Sequence, residues 1–114
     1  MRDQHVTLVV RRRQPGPGLT VVTVIGEVDL LTAPRLRRAL ERAREPTILV
    51  DLTGVTFLAA AGLTVLVAAN LDAREHGRRF GVVGAAGTAR RSLELSGVSD
   101  VVPSYGSVAE IIAD

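Results

Sequence analysis

A chain of 114 residues is the length of one domain and long enough to bury a core, and at 46% hydrophobic and 23% charged it reads as globular rather than disordered. With no cysteine, disulfides and thiolate metal sites are excluded; His5 and His76 lie far apart in different local contexts and do not suggest another metal site, and no cofactor is expected. All 14 basic residues are arginine, yet the formal net charge is only +2, a weak argument for a nucleic-acid partner.

In chain order, Val6 to Arg12 has the pattern of a first strand. Its Arg11-Arg12-Arg13 run could touch phosphates, but a solvated strand end before a turn explains it better. Gln14 to Gly18 (QPGPG) is a strong breaker. Leu19 to Ile25 is β-branched and predicts a second strand, antiparallel to the first and ended by Gly26. Thr32 sits where a helix N-cap belongs, Pro34 falls in the first turn, and Leu31 and Leu36 have the spacing of a hydrophobic staple. Leu36, Ala39, Leu40 and Ala43 carry that helix on at helical spacing.

Pro46 separates it from Thr47–Leu52, a continuous apolar run expected for a strand buried on both faces, which then turns at Thr53-Gly54. A second helix is expected from Ala61 or Gly62 to about Glu75, with Gly77 after its end. Phe80 to Val83 predicts a strand, Thr88 caps a third helix through Leu95, Val101-Val102 forms a short strand, and Ser107–Ala113 a terminal helix. The second helix is apolar on two sides. Leu63, Leu66, Val67 and Leu71 make a stripe for the sheet, and Val65, Ala68 and Ala69 point elsewhere, toward a partner, a second copy of the chain, or the rest of the domain.

Enzyme chemistry finds no support. No serine stands beside a histidine in a nucleophile-like setting. The Glu27/Asp29 pair could do acid–base work, but a solvated loop pair is the commoner arrangement. Gly84–Gly87 (GAAG) lacks the lysine and glycine spacing of a phosphate loop and reads as a strand-to-helix turn.

Three stretches in order carry a more specific signal: Gly26-Glu27-Val28-Asp29 followed by Leu31-Thr32-Ala33, then Asp51-Leu52 through Phe57 to Gly62-Leu63, then Phe80–Val83 with Leu93–Val98. Together they resemble the STAS domains of bacterial anti-sigma factor antagonists over residues 19–112, with residues 1–5 expected to be a loose N-terminus of a single domain 1–114. The resemblance implies an α/β fold with a mixed four- to five-stranded sheet and about four helices. It implies a protein-binding module that sequesters an anti-sigma factor/serine kinase, regulates transcription in the cytoplasm, and neither binds nucleic acid directly nor inserts in a membrane. By position Asp29, Glu27, Phe57, Leu58, Ala59, Ala60, Ala61, Gly62, Leu63 and Val65 would form the partner surface. In that family a serine beside the glycine is phosphorylated to end binding. Here that position is Ala61, Ala60 offers no substitute, and Ala59 replaces the usual acidic neighbour. Thr56 and Thr64 are the nearest hydroxyls. The expectation is a binding module not switched at the usual site. The rival expectations are a cytoplasmic accessory subunit of a membrane transport complex and, more weakly, a nucleotide sensor.

Overall fold

The computed structural model describes residues 8–112. Strands β1 (Val9–Gly16), β2 (Leu19–Val28), β3 (Thr47–Leu58), β4 (Arg79–Val83) and β5 (Ser104–Tyr105) form one sheet whose spatial order is the chain order. β1 pairs antiparallel with β2; every later pairing is parallel. Helices α1 (Ala33–Glu41), α2 (Ala60–Glu75) and α3 (Gly87–Leu95) connect or follow the parallel strands, and α4 (Val108–Ile112) closes the described chain. This is the mixed α/β architecture that the alternation of helix and strand signals predicts. Residues 1–5, Val6 and Ala113, which enter the sequence expectations above, lie outside the described residues.

Alternation along the strands builds two cores. Val22, Val24, Ile48, Val50, Leu52 and Val82 point to one side, where Leu36, Leu40, Leu66, Ala89 and Leu93 of the helices meet them. Leu19, Val21, Leu49 and Val83 point to the other, where Ile111 packs. β3 carries both sets because it is central, so its first half reads as the continuous apolar run seen in the sequence.

Several boundaries fall differently from expectation. β1 runs on through Pro15 to Gly16, leaving only Pro17 and Gly18 to turn; the register slips between Arg13 and Gly16, and an edge strand tolerates proline at such a bulge. β2 does not stop at Gly26 but continues to Val28. Gly26 takes φ +115 at an irregularity where Val55 and Phe57 of β3 flank an extra residue. Likewise Thr53-Gly54 is no turn: a second irregularity opposite Thr23–Ile25 absorbs the extra residue, and the Asp51 carboxylate accepts the Thr53 N–H at 2.9 Å. A Cβ on Gly54 would lie 3.0 Å from Ile25 Cγ1, so the glycine marks close strand approach at a bulge.

α3 starts at Gly87, with Ala86 as N-cap and no side-chain cap, so Thr88 is not its cap; Gly87, at φ +54, makes the turn one residue earlier. Val101-Val102 is not a strand. It follows a 3-10 helix at Val98–Asp100, both valine N–H groups donating to the Val98 carbonyl at 2.9 Å, and β5 comes two residues later.

Candidate functional site

The parallel pairing of β2 with β3 brings the first two sequence motifs together. Glu27 is opposite Phe57 and Val28 opposite Leu58, and just beyond them the Ala59 N–H donates to the Val28 carbonyl at 2.8 Å. The segments that leave these strands, 29–32 and 59–60, therefore emerge side by side at the carboxyl end of the sheet.

The first is tied internally by Asp29. One carboxylate oxygen accepts the N–H groups of Leu31 and Thr32, each at 3.0 Å, while the Asp29 N–H donates to the Thr32 hydroxyl at 2.9 Å. The hydroxyl's own proton has two acceptors within reach, the Glu27 carbonyl at 2.9 Å and the Asp29 carboxylate at 3.1 Å. The Thr32 N–H holds the Asp29 carboxyl below the ordinary carboxylate range; partial loss of solvent opposes this, and the Thr32 hydroxyl and Leu31 N–H reinforce it. Thr32 does occupy the N-cap of α1, but its side chain is spent on this loop and makes no cap bond to the helix. No Leu31–Leu36 staple forms: Leu36 is buried, whereas Leu31 is 86% and Leu30 77% exposed. Two adjacent leucines are thus held out in solvent beside Asp29, one of which the sequence reading assigned to a staple and the other of which it passed over.

The second segment is barely a loop. Phe57 and Leu58 still belong to β3, Ala59 is the extended N-cap (φ −83, ψ 172), and α2 begins at Ala60 without a side-chain cap. The Ala59 carbonyl accepts the Gly62 and Leu63 N–H groups at 2.9 and 3.1 Å. Gly62 is fixed by packing, since a Cβ there would sit 2.6 Å from Val28 Cγ1 and 2.7 Å from Leu58 Cδ1. The first turn of α2 thus rests directly on the ends of β2 and β3.

Of the residues that the resemblance puts on a partner surface, Phe57 (44% exposed), Ala60 and Glu27 are open to solvent, and Asp29, Ala59, Ala61 and Leu63 are half-buried. Leu58, Gly62 and Val65 are buried core residues, so they support the surface from beneath. Val65 is turned inward because the buried face of α2 is Gly62, Val65, Leu66, Asn70 and Ala73. Leu71, expected on the sheet side, is 52% exposed, and buried Asn70 takes its place, donating to the Val101 carbonyl at 3.4 Å. Of the two nearby hydroxyls, Thr64 donates to the Ala60 carbonyl at 3.1 Å and Thr56 to the Gly26 carbonyl at 3.4 Å.

Among the described residues no group of three or more His, Cys, Asp or Glu side chains is placed to hold a metal ion, and no helix is long and apolar enough to cross a membrane.

The five-stranded mixed sheet, with its paired β2–α1 and β3–α2 junctions, has clear counterparts. The family model described as Mlab, STAS domain, matches residues 12–103, and the chain belongs to the STAS domain family. The anti-sigma-F factor antagonist RsfB of Mycobacterium tuberculosis is 39% identical over 98 residues, 83% of this chain and 80% of that protein. The anti-sigma-B factor antagonist of Listeria monocytogenes is 33% identical over 84 residues, 71% and 74% of the two chains. Among solved structures, an anti-sigma factor antagonist from Mycobacterium paratuberculosis superposes with a TM-score of 0.84 at 29% identity, covering 94% of this chain and 92% of that one.

Proposed function

We propose that this protein is an anti-sigma factor antagonist that works by binding a kinase-type anti-sigma factor through the 29–32 and 57–63 segments, without being switched by phosphorylation there. The observation that carries this reading is the junction itself. Two segments known from antagonists lie side by side, yet Ala59, Ala60 and Ala61 present no hydroxyl or carboxylate. The identity to named antagonists supports the same role. Phosphate on a side chain adds nearly two negative charges, enough to reverse an interface, and alanine offers no oxygen to carry it.

Exposed Leu30, Leu31 and Phe57 make the surface apolar, and Asp29 stiffens it. Such a surface contributes to binding through desolvation of a few anchors. The decisive experiment mixes the purified protein with kinase-type anti-sigma factors and ATP, and follows complex formation and intact mass together. The reading requires a complex that persists with ATP and an unchanged mass. A phosphate within 53–64 removes the unswitched part of the reading, and no complex with any such kinase removes the partner.

A further inference from the structure

The shortness of β5 leaves an opening at the edge of the sheet. β4 meets β5 through Val82 and Val83, so Arg79, Phe80 and Gly81 run on beyond that pairing. A pocket of about 270 Å³ lies there, lined from α2, from the start of β4 and from the approach to β5. It sits at the amino end of the parallel strands, the opposite end of the sheet from the 29–32 and 57–63 segments. Its volume falls near the lower end of the range for small-molecule sites.

α2 brings cations to this pocket. Asn70 and Arg74, four residues apart, lie on one line of the helix. Gly77, at φ +71, then ends the helix in a Schellman turn. Its own N–H donates to the Arg74 carbonyl at 3.1 Å, and the Arg78 N–H donates to the Ala73 carbonyl at 2.8 Å. That turn folds the chain back, so Arg78 joins Arg74 in the lining. Neither of these guanidinium groups has a hydrogen-bond or ion-pair partner among the described residues. Arg79 lines the pocket as well, and among the described residues no carboxylate does. Of the acids on this part of α2, Asp72 lies 3.5 Å from His76, and Glu75 is exposed outside the lining.

The inner wall is polar. Asn70 is 1% exposed, and its side-chain N–H donates to the Val101 carbonyl at 3.4 Å, which leaves its side-chain carbonyl without a donor among the described residues. A buried acceptor with no donor is unfavourable. On β4, the Val82 and Gly84 N–H groups donate to the Pro103 and Tyr105 carbonyls at 2.9 and 3.2 Å. Alternation along the strand turns the Phe80 N–H to that same edge, beyond the last β5 pairing. The Tyr105 ring closes the pocket from across β4, since a Cβ on Gly81 would sit 2.6 Å from its Cε2.

We propose that this pocket binds a small phosphate monoester that carries a hydroxyl group. Arg74 and Arg78 hold the phosphate through charge-assisted bonds, and the Phe80 N–H adds an uncharged donor. The ligand hydroxyl donates to the Asn70 carbonyl, and that bond distinguishes the ester from bare phosphate. The site lies apart from the antagonist surface proposed above and does not depend on that function.

Isothermal titration calorimetry of the full chain with ribose 5-phosphate, inorganic phosphate and ribose tests this. Ribose 5-phosphate should bind saturably at one site, at least about fivefold more tightly than inorganic phosphate and less tightly as salt is raised, and ribose should not bind. Arg74→Gln with Arg78→Gln should weaken binding by about tenfold or more. Arg38→Gln with Arg91→Gln, which removes the same charge from exposed positions on α1 and α3, should leave it within about twofold. Asn70→Leu, similar in shape, should bring ribose 5-phosphate down to the affinity of inorganic phosphate and leave the latter unchanged. No saturable binding of ribose 5-phosphate, equal binding of the ester and inorganic phosphate, or equal losses in the two arginine double variants overturns the proposal. So does a single-stranded oligonucleotide held through Arg74 and Arg78 by a protein that takes up no ribose 5-phosphate.

Discussion

Asp29 shows how a residue expected to touch a partner first has to hold its own loop. Its carboxylate gathers two backbone N–H groups and a hydroxyl within three residues, leaving Leu30 and Leu31 nowhere to fold back. The sign of its pH dependence follows. The folded-state carboxyl titrates below its unfolded value of about 3.9, so its contribution is complete above that pH and is lost as pH falls through the lower folded value. An NMR titration should place the Asp29 midpoint below those of exposed carboxylates, and Asp29→Asn should flatten the acid limb of the stability curve while lowering the melting temperature at neutral pH.

The alanines nearby differ in reach. Ala60 is exposed in the first helical position, whereas Ala61, which the resemblance makes the acceptor position, is half-buried against the core. If a kinase-type partner is the ligand, Ala60→Ser should be phosphorylated readily on incubation with kinase and ATP, and Ala61→Ser far more slowly, as read by intact mass. Gly62→Ala should cost about 1–3 kcal/mol of stability in denaturant melts, the usual penalty for overpacking where Val28 and Leu58 leave no room.

At the level of elements, α2 is the instructive case. An apolar helix without a polar face does not reveal its orientation, so the sequence allowed Val65 outward and Leu71 inward, and the structure has the reverse. What decides is the Gly62 contact, which fixes the rotation of the first turn, and Asn70, whose side chain reaches the Val101 carbonyl from within the core. Neither is a periodicity signal. Leu66→Ala should therefore cost about 2–5 kcal/mol, as for a fully buried leucine, while Leu71→Ala should stay within about 0.5 kcal/mol. Equal losses in chemical denaturation would mean that the helix is rotated from this placement.

The strands were legible in kind but not in length. Val50 and Leu52 declare a buried strand, yet Gly26 and Gly54 read as stops when they are the bulges that let β2 and β3 run on together. Residue types alone do not separate a turn glycine from a bulge glycine; only the partner strand does. The site was legible as motif and order, since Glu27 and Phe57 do meet across the ladder. Its exposed leucines were hidden because Leu31 also fits a staple, and Asp29 removed that option by taking Thr32 for the loop.

For the molecule as a whole, the sheet has two unequal edges. β5 pairs through two residues, whereas β1 presents a full edge strand that carries exposed Arg11, Arg12 and Arg13 on alternating faces. Arg12 reaches back to the Arg42 carbonyl at 3.2 Å, and all three side chains stand exposed. Closely spaced positive charge along an open edge discourages another strand from adding to it. Arg11→Val with Arg13→Val should therefore raise light scattering and promote association at concentrations where the parent protein shows none.

Strand order also governs what it costs this protein to engage another. The 29–32 and 57–63 segments are carried by β2 and β3, the pair joined by the longest parallel ladder and flanked on both sides by further strands. Local opening begins where ladders are short, at the β5 edge, and reaches the middle of a sheet last. The partner surface proposed above would therefore be ordered before contact, with little backbone freedom left to surrender. Its affinity is then governed by the few apolar side chains that it exposes, and the rate at which complexes dissociate becomes the quantity that changes at those positions will move most.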